Sequence, residues 1–147
     1  MAGKKQTMQM NNPRIHGRLL MSTGVLHVIL AILPGVFGDQ FLNFSRSWFF
    51  NISSGAADFS FLGGAINYVE FAAFWFFYAG PIMFLYGQAI DRIEKLEGYV
   101  PLSMVNTFMA VSVVGAYMIP LSGMTFALIP QGIYMYVRSV NRRNFYG

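Results

Sequence analysis

His27 and Glu70 are the ionisable residues of this chain that fall inside or beside long apolar stretches, and Thr23, Asn106 and Gln131 are polar side chains able to partner them. An imidazole titrates near neutral pH, so a histidine in an apolar setting, with a carboxylate in the same assembly, points to proton relay or ligand contact. The competing reading is structural: a neutral His27 that hydrogen-bonds helices together. Either way an unpaired imidazole in hydrocarbon is costly, which is why Thr23, one turn earlier, and Asn106 and Gln131 from other segments matter. Glu70 is an interfacial carboxylate if its helix begins near Phe71. If that helix begins near Leu62, Glu70 sits deeper and is protonated or paired with His27 or Arg46. The two residues lie at different depths, so a water chain rather than direct contact would join them.

Other chemistries find no support. The chain has no cysteine, which removes disulfides, thiolate metal sites and cysteine nucleophiles. Its 2 histidines, His16 and His27, make no ligand pattern, so no metal is expected. No phosphate loop, nucleophile elbow or HExxH motif occurs. The 10 methionines read as adaptable packing, and no cofactor is expected. The block Ala72–Gly80, dense in Phe, Trp and Tyr, suits either lipid-facing bulk or the flank of a flat ligand such as a quinone. With no catalytic constellation, an enzymatic role is not expected.

The elements that would position these residues are set by apolarity. Hydrophobic residues make up 55% of the chain and charged residues 11%, against about 25% in soluble domains. No charged side chain occurs from Tyr99 to Val137, and the segment Ile119-Pro120-Leu121-Ser122-Gly123 supplies a turn midway. A helix of about 20 apolar residues spans a bilayer core, so this run is long enough to cross twice. Leu19–Gly38 and Phe71–Ile90 are also charge-free. These runs predict an all-α integral membrane four-helix bundle with helices over about 19–37, 66–90, 102–119 and 121–137. Residues 1–18 form a basic segment before it and 138–147 a basic tail.

Of the 10 lysines and arginines, this plan leaves only Arg46 on the outer side. That is the positive-inside pattern and makes both termini cytoplasmic. The basic clusters are therefore topology signals, and no nucleic-acid partner is expected. Leu19–Gly38 exceeds the usual signal-peptide core and lacks a small-x-small exit, so cleavage is not expected. Residues 1–12 are polar and expected to lack fixed structure. In the first outer loop, Phe41, Phe44, Trp48, Phe49 and Ile52 recur at helical spacing. They predict a short interfacial helix, or one packed on the end of the bundle. Asn51-Ile52-Ser53 is a glycosylation sequon that matters only in a eukaryotic secretory route.

Small residues mark the contacts. Gly17, Gly24, Ala31 and Gly38 recur every seven residues, as do Ala73, Gly80 and Gly87. In a membrane, close approach through small residues has to replace the aqueous hydrophobic drive. Gly24, Ala31, Ala73, Gly80 and Gly87 are thus the expected helix-packing positions. Ser103, Asn106, Thr107 and Ala110 offer a similar seam in the third helix, and Gly123, Ala127 and Gln131 in the fourth.

The pieces Gly24-Val25-Leu26-His27, Ala73-Phe74-Trp75-Phe76 through Gly80, and Ile119-Pro120-Leu121-Ser122-Gly123 occur in an order that resembles a family of small bacterial four-helix membrane proteins, a domain of unknown function. The resemblance runs from Gly17 to Arg138. It implies a four-helix fold in a bacterial cytoplasmic membrane and no particular activity. A looser likeness to DoxX-like four-helix proteins implies quinone-linked partners. The expectation is a multi-pass protein whose partners are the lipid bilayer and either further copies of itself or another membrane protein. It would act by association, with a small proton-coupled transporter using His27 as the alternative and a quinone- or lipid-linked enzyme as the third reading.

Overall fold

The computed structural model describes residues 15–46 and 68–146. Within them the chain is all-helical: α1 (His16–Ile32), α2 (Gly38–Arg46), α3 (Tyr68–Glu97), α4 (Leu102–Met118) and α5 (Ile129–Tyr146). A π-helical turn, Met124–Leu128, leads directly into α5. No strand occurs among the described residues. Residues 1–14 and 47–67, which carry the apolar positions Trp48, Phe49 and Ile52 and the Asn51 sequon, lie outside the described residues.

Several element boundaries differ from the sequence expectation for identifiable reasons. The first helix ends at Ile32 rather than near 37. Leu33 precedes Pro34, which disfavours helical backbone at the residue before it, and Leu33 is extended with ψ 140°. Gly35 then takes φ 85°, a left-handed conformation, before the chain re-enters helix as α2. The second long helix runs seven residues past Ile90, to Glu97, and stops where Gly98 adopts φ 78°. Pro81 sits inside it without ending it. The fourth does not start at 121 or stop at 137. Its α-helical part begins at Ile129 after the π turn and continues through Arg138 to Tyr146. Pro130 would collide with the carbonyl four residues back in a regular helix, and the widened turn lies immediately before it.

The helices associate as two hairpins. α1 and α3 run antiparallel along their small residues: a Cβ added at Gly24 would lie 2.7 Å from the Gly80 carbonyl oxygen, and one at Gly87 would lie 2.8 Å from the Gly17 carbonyl oxygen. Ala31 and Ala73 are fully buried further along the same two helices. α4 and α5 form the second hairpin, in which Gly115 lies against Met124 and Gly132 against Met109. Leu20, Ile90, Val100, Val105, Phe108 and Met135 join the hairpins in one buried cluster.

Many large apolar side chains outside that cluster are exposed. On α4 alone Val111, Val113, Val114, Tyr117 and Met118 are exposed. α3 is the one described helix long and apolar enough to cross a membrane, and α1 and α4 are shorter apolar helices of 17 residues each.

Candidate functional site

The polar groups that converge do so where the N-terminus of α1 meets the C-terminal turns of α3 and the middle of α5. A helix leaves its first N–H groups without internal partners. The residue before α1, Ile15, has no side chain able to cap them. Glu94 supplies the missing acceptor. Its Oε2 accepts the Gly17 N–H at 3.1 Å, and the His16 N–H is also directed to this carboxylate. A carboxylate is well matched to the positive end of the helix dipole.

The His16 carbonyl is held in turn by α5, where Gln131 Nε2 donates to it at 3.1 Å. The His16 ring packs against Tyr134, with centroids 4.8 Å apart. Arg138 donates to the Tyr134 hydroxyl at 3.4 Å, with its guanidinium 5.7 Å from the centre of that ring. Ser139 donates to the Val100 carbonyl at 2.8 Å, which fastens the α3–α4 link to α5. Arg18 and Asp91 form a loose ion pair, 3.8 Å apart, at the rim.

Burial sets the electrostatics. His16 and Glu94 lie beyond the charge-free runs yet are only 3% and 8% exposed. Burial pushes the His16 imidazole down to about 4, and the nearby Arg138 charge acts in the same direction. Burial pushes the Glu94 carboxyl above its ordinary range, against the opposing pull of the Gly17 and His16 N–H groups and of Arg138. The His16 ring is therefore neutral near pH 7.

The five residues singled out for ligand or proton chemistry do not meet. Gln131 joins the cluster just described. His27 lies on α1 and stacks on Phe76 of α3, with ring centroids 4.0 Å apart and Nε2 buried without a hydrogen-bond partner among the described residues. Thr23 donates to the Leu19 carbonyl of its own helix at 2.9 Å, not to His27. Glu70 is in the first turn of α3, six residues and about 9 Å along the helix from Phe76. Asn106 lies exposed on α4.

Sequence reasoning passed over His16, Glu94, Tyr134, Arg138 and Ser139. One signal was available. The seven-residue series Ala73, Gly80, Gly87 continues by one more step to Glu94, which puts that carboxylate on the stripe of α3 that faces α1.

An open groove of about 550 Å³ runs along α1, lined by Met21, Val25, Leu26, Ile29 and Phe84 with Arg18 at its end. Among the described residues no group of three or more histidine, cysteine or acidic side chains is placed to hold a metal ion.

A family model described as a family of unknown function (DUF6463) matches residues 11–142. The chain belongs to this family. The match covers every described helix of the DUF6463 chain except the last turn of α5. No curated protein and no solved structure matches it. Family membership carries no activity, and the match lends the DoxX-like likeness no support.

Proposed function

We propose that this DUF6463 protein is a multi-pass protein of the cytoplasmic membrane that acts by association, and that a second copy packs against α4. Its two hairpins would place four helices across the bilayer with both termini on the cytoplasmic side. α3 has ample length for this. α1 and α4, at 17 residues each, are at the short end of the spanning range. The exposed apolar side chains of α1, α4 and α5 suit contact with acyl chains. The buried His16–Glu94 cluster would then lie at the cytoplasmic boundary.

One observation carries the association reading. The inward side of α4 is occupied by Val105, Phe108, Met109 and Ser112, while Ser103, Asn106, Thr107 and Ala110 lie exposed on its other side. The Thr107 hydroxyl is satisfied by the Ser103 carbonyl at 3.0 Å. The Asn106 amide, in contrast, faces outward, and a carboxamide directed at lipid is unfavourable unless another polar group meets it. Small residues beside an interhelical amide are what a close helix–helix contact in a membrane uses. A second copy brings its own Asn106 to the same place, so the surface complements itself.

Native mass spectrometry of the full chain in mild detergent tests this. A homo-oligomer is expected. A strict monomer contradicts the association reading, and a stoichiometric second protein would instead assign the chain as a subunit of another complex.

A second reading, proton-coupled transport, draws support from the buried ionisable groups His16 and Glu94 with the partly exposed Arg138 beside them. Reconstituted vesicles with no pH-dependent flux above lipid background would remove it.

A further inference from the structure

The His16 ring has no visible reason to be polar. Both ring nitrogens are buried and neither has a hydrogen-bond partner among the described residues. A neutral imidazole nevertheless carries one donor and one acceptor. Beside it lies a cavity of about 10 Å³ lined by His16, Glu94, Gly98, Tyr99, Val100, Arg138 and Ser139. That volume is close to the smallest that holds one water, and the lining offers several polar groups to bind it.

We propose that Glu94 and His16 form a one-proton binding site, linked by a water in the cavity between them. In the unprotonated state the Glu94 carboxylate accepts the N–H groups of His16 and Gly17. When a proton arrives from solvent it bonds to a Glu94 oxygen. The new O–H donates to the water, and the water donates to the lone-pair nitrogen of His16. No other bond changes, and the site gains one positive charge.

The groups facing the site fix which partner takes the proton. From α1 they are His16 itself and Arg18 at the rim. From α3 they are Asp91 and Glu94, from the α3–α4 link Tyr99, and from α5 Tyr134, Arg138 and Ser139. Arg138 and burial both oppose a cation on His16. Burial, the largest influence on Glu94, favours its neutral form together with Asp91 and outweighs the opposing Gly17 and His16 N–H groups and Arg138. The proton therefore resides on the carboxyl while the ring stays neutral and available as an acceptor. Neutralising Glu94 also weakens its hold on the start of α1, so occupancy of the site is coupled to how that helix end is seated.

The test is an infrared titration of the protonated-carboxyl band of the full chain in lipid bilayers, compared with Glu94→Gln and His16→Phe. The expected result is a carboxyl that titrates above the ordinary glutamate range of about 4.3 and is missing in Glu94→Gln. His16→Phe, which keeps a ring against Tyr134, should lower its midpoint by roughly half a unit or more because the acceptor of the protonated form is gone. That variant carries the test alone if Glu94→Gln does not fold. A band that titrates with ordinary surface carboxylates, or one that His16→Phe leaves unmoved, overturns the proposal. The site lies within one copy of the chain, so the readout is independent of association through α4.

Discussion

Glu94 Oε2 accepts the backbone N–H of Gly17 at 3.1 Å across 77 positions of sequence, so the start of α1 is capped by the end of α3. The same turn of α1 is held to α5 by Gln131 on the His16 carbonyl at 3.1 Å. This junction ties the first hairpin to the second. Away from it, the hairpins meet through the apolar cluster around Leu20, Ile90 and Met135.

The α1–α3 contact leaves no room for a methyl group at its glycines. Gly24→Ala would bring Cβ within 2.7 Å of the Gly80 carbonyl oxygen and 2.8 Å of the Phe84 nitrogen. Because those neighbours are backbone, the cost should be about 1–3 kcal/mol. Gly123→Ala, with nothing within 4 Å of its Cβ, should be neutral or stabilising by up to about 1 kcal/mol. Detergent-resistant unfolding midpoints of the two variants check the contrast, and equal losses would contradict it.

Ser139→Ala removes a buried hydroxyl from the Val100 carbonyl, which it meets at 2.8 Å. The carbonyl is left without that donor, and a loss of about 1–3 kcal/mol is expected. Arg18→Gln, by contrast, removes a partner from an ion pair 3.8 Å long whose arginine is 65% exposed. It should change stability by no more than about 1 kcal/mol. Thermal unfolding of the two variants side by side separates a buried hydrogen bond from a rim charge.

The glycine and alanine spacing that brings α1 and α3 together can be read directly from the sequence, because a seven-residue period is a local property of each segment. Gly24, Ala31, Ala73, Gly80 and Gly87 are all buried in their helices. The cluster around Glu94 was not legible in the same way. In the string Asp91-Arg92-Ile93-Glu94-Lys95-Leu96-Glu97 every charge looks equally solvated; the seven-residue step from Gly87 sets Glu94 apart from Glu97, but only the docking of α1's first turn buries its carboxylate. His16 is flanked by Pro13, Arg14, Gly17 and Arg18, a context that reads as an approach segment. Its burial depends on Tyr134, a residue far along the chain. The break at Leu33 was within reach of sequence reasoning, since Pro34 dictates it, whereas the π turn before Pro130 is one of several ways a helix accommodates a proline.

His16 gives a pH dependence whose sign follows from burial. Its folded value of about 4 lies below the ordinary histidine value of 6.5, so its neutral form favours the fold. That contribution is complete above about 6.5 and is lost as pH falls toward 4, an effect of order 3 kcal/mol. Glu94 shifts upward, so its protonated form favours the fold, and that contribution is lost as pH rises through its folded value. His16→Phe removes the first effect, which is the larger, and trims the second by lowering the Glu94 midpoint. The variant should gain stability relative to the parent between pH 7 and pH 4 in unfolding experiments, and a pH-independent difference would contradict the burial argument.

Association through α4 can be read most directly by cysteine cross-linking in native membranes, since the chain has no cysteine of its own. Ser103→Cys and Ala110→Cys place a thiol on the exposed polar side of α4 and keep Asn106, and Val25→Cys places one on the exposed side of α1. Oxidation should yield a covalent dimer from the two α4 positions and little from Val25. Dimers formed equally from all three positions, or from none, would contradict a second copy seated on α4.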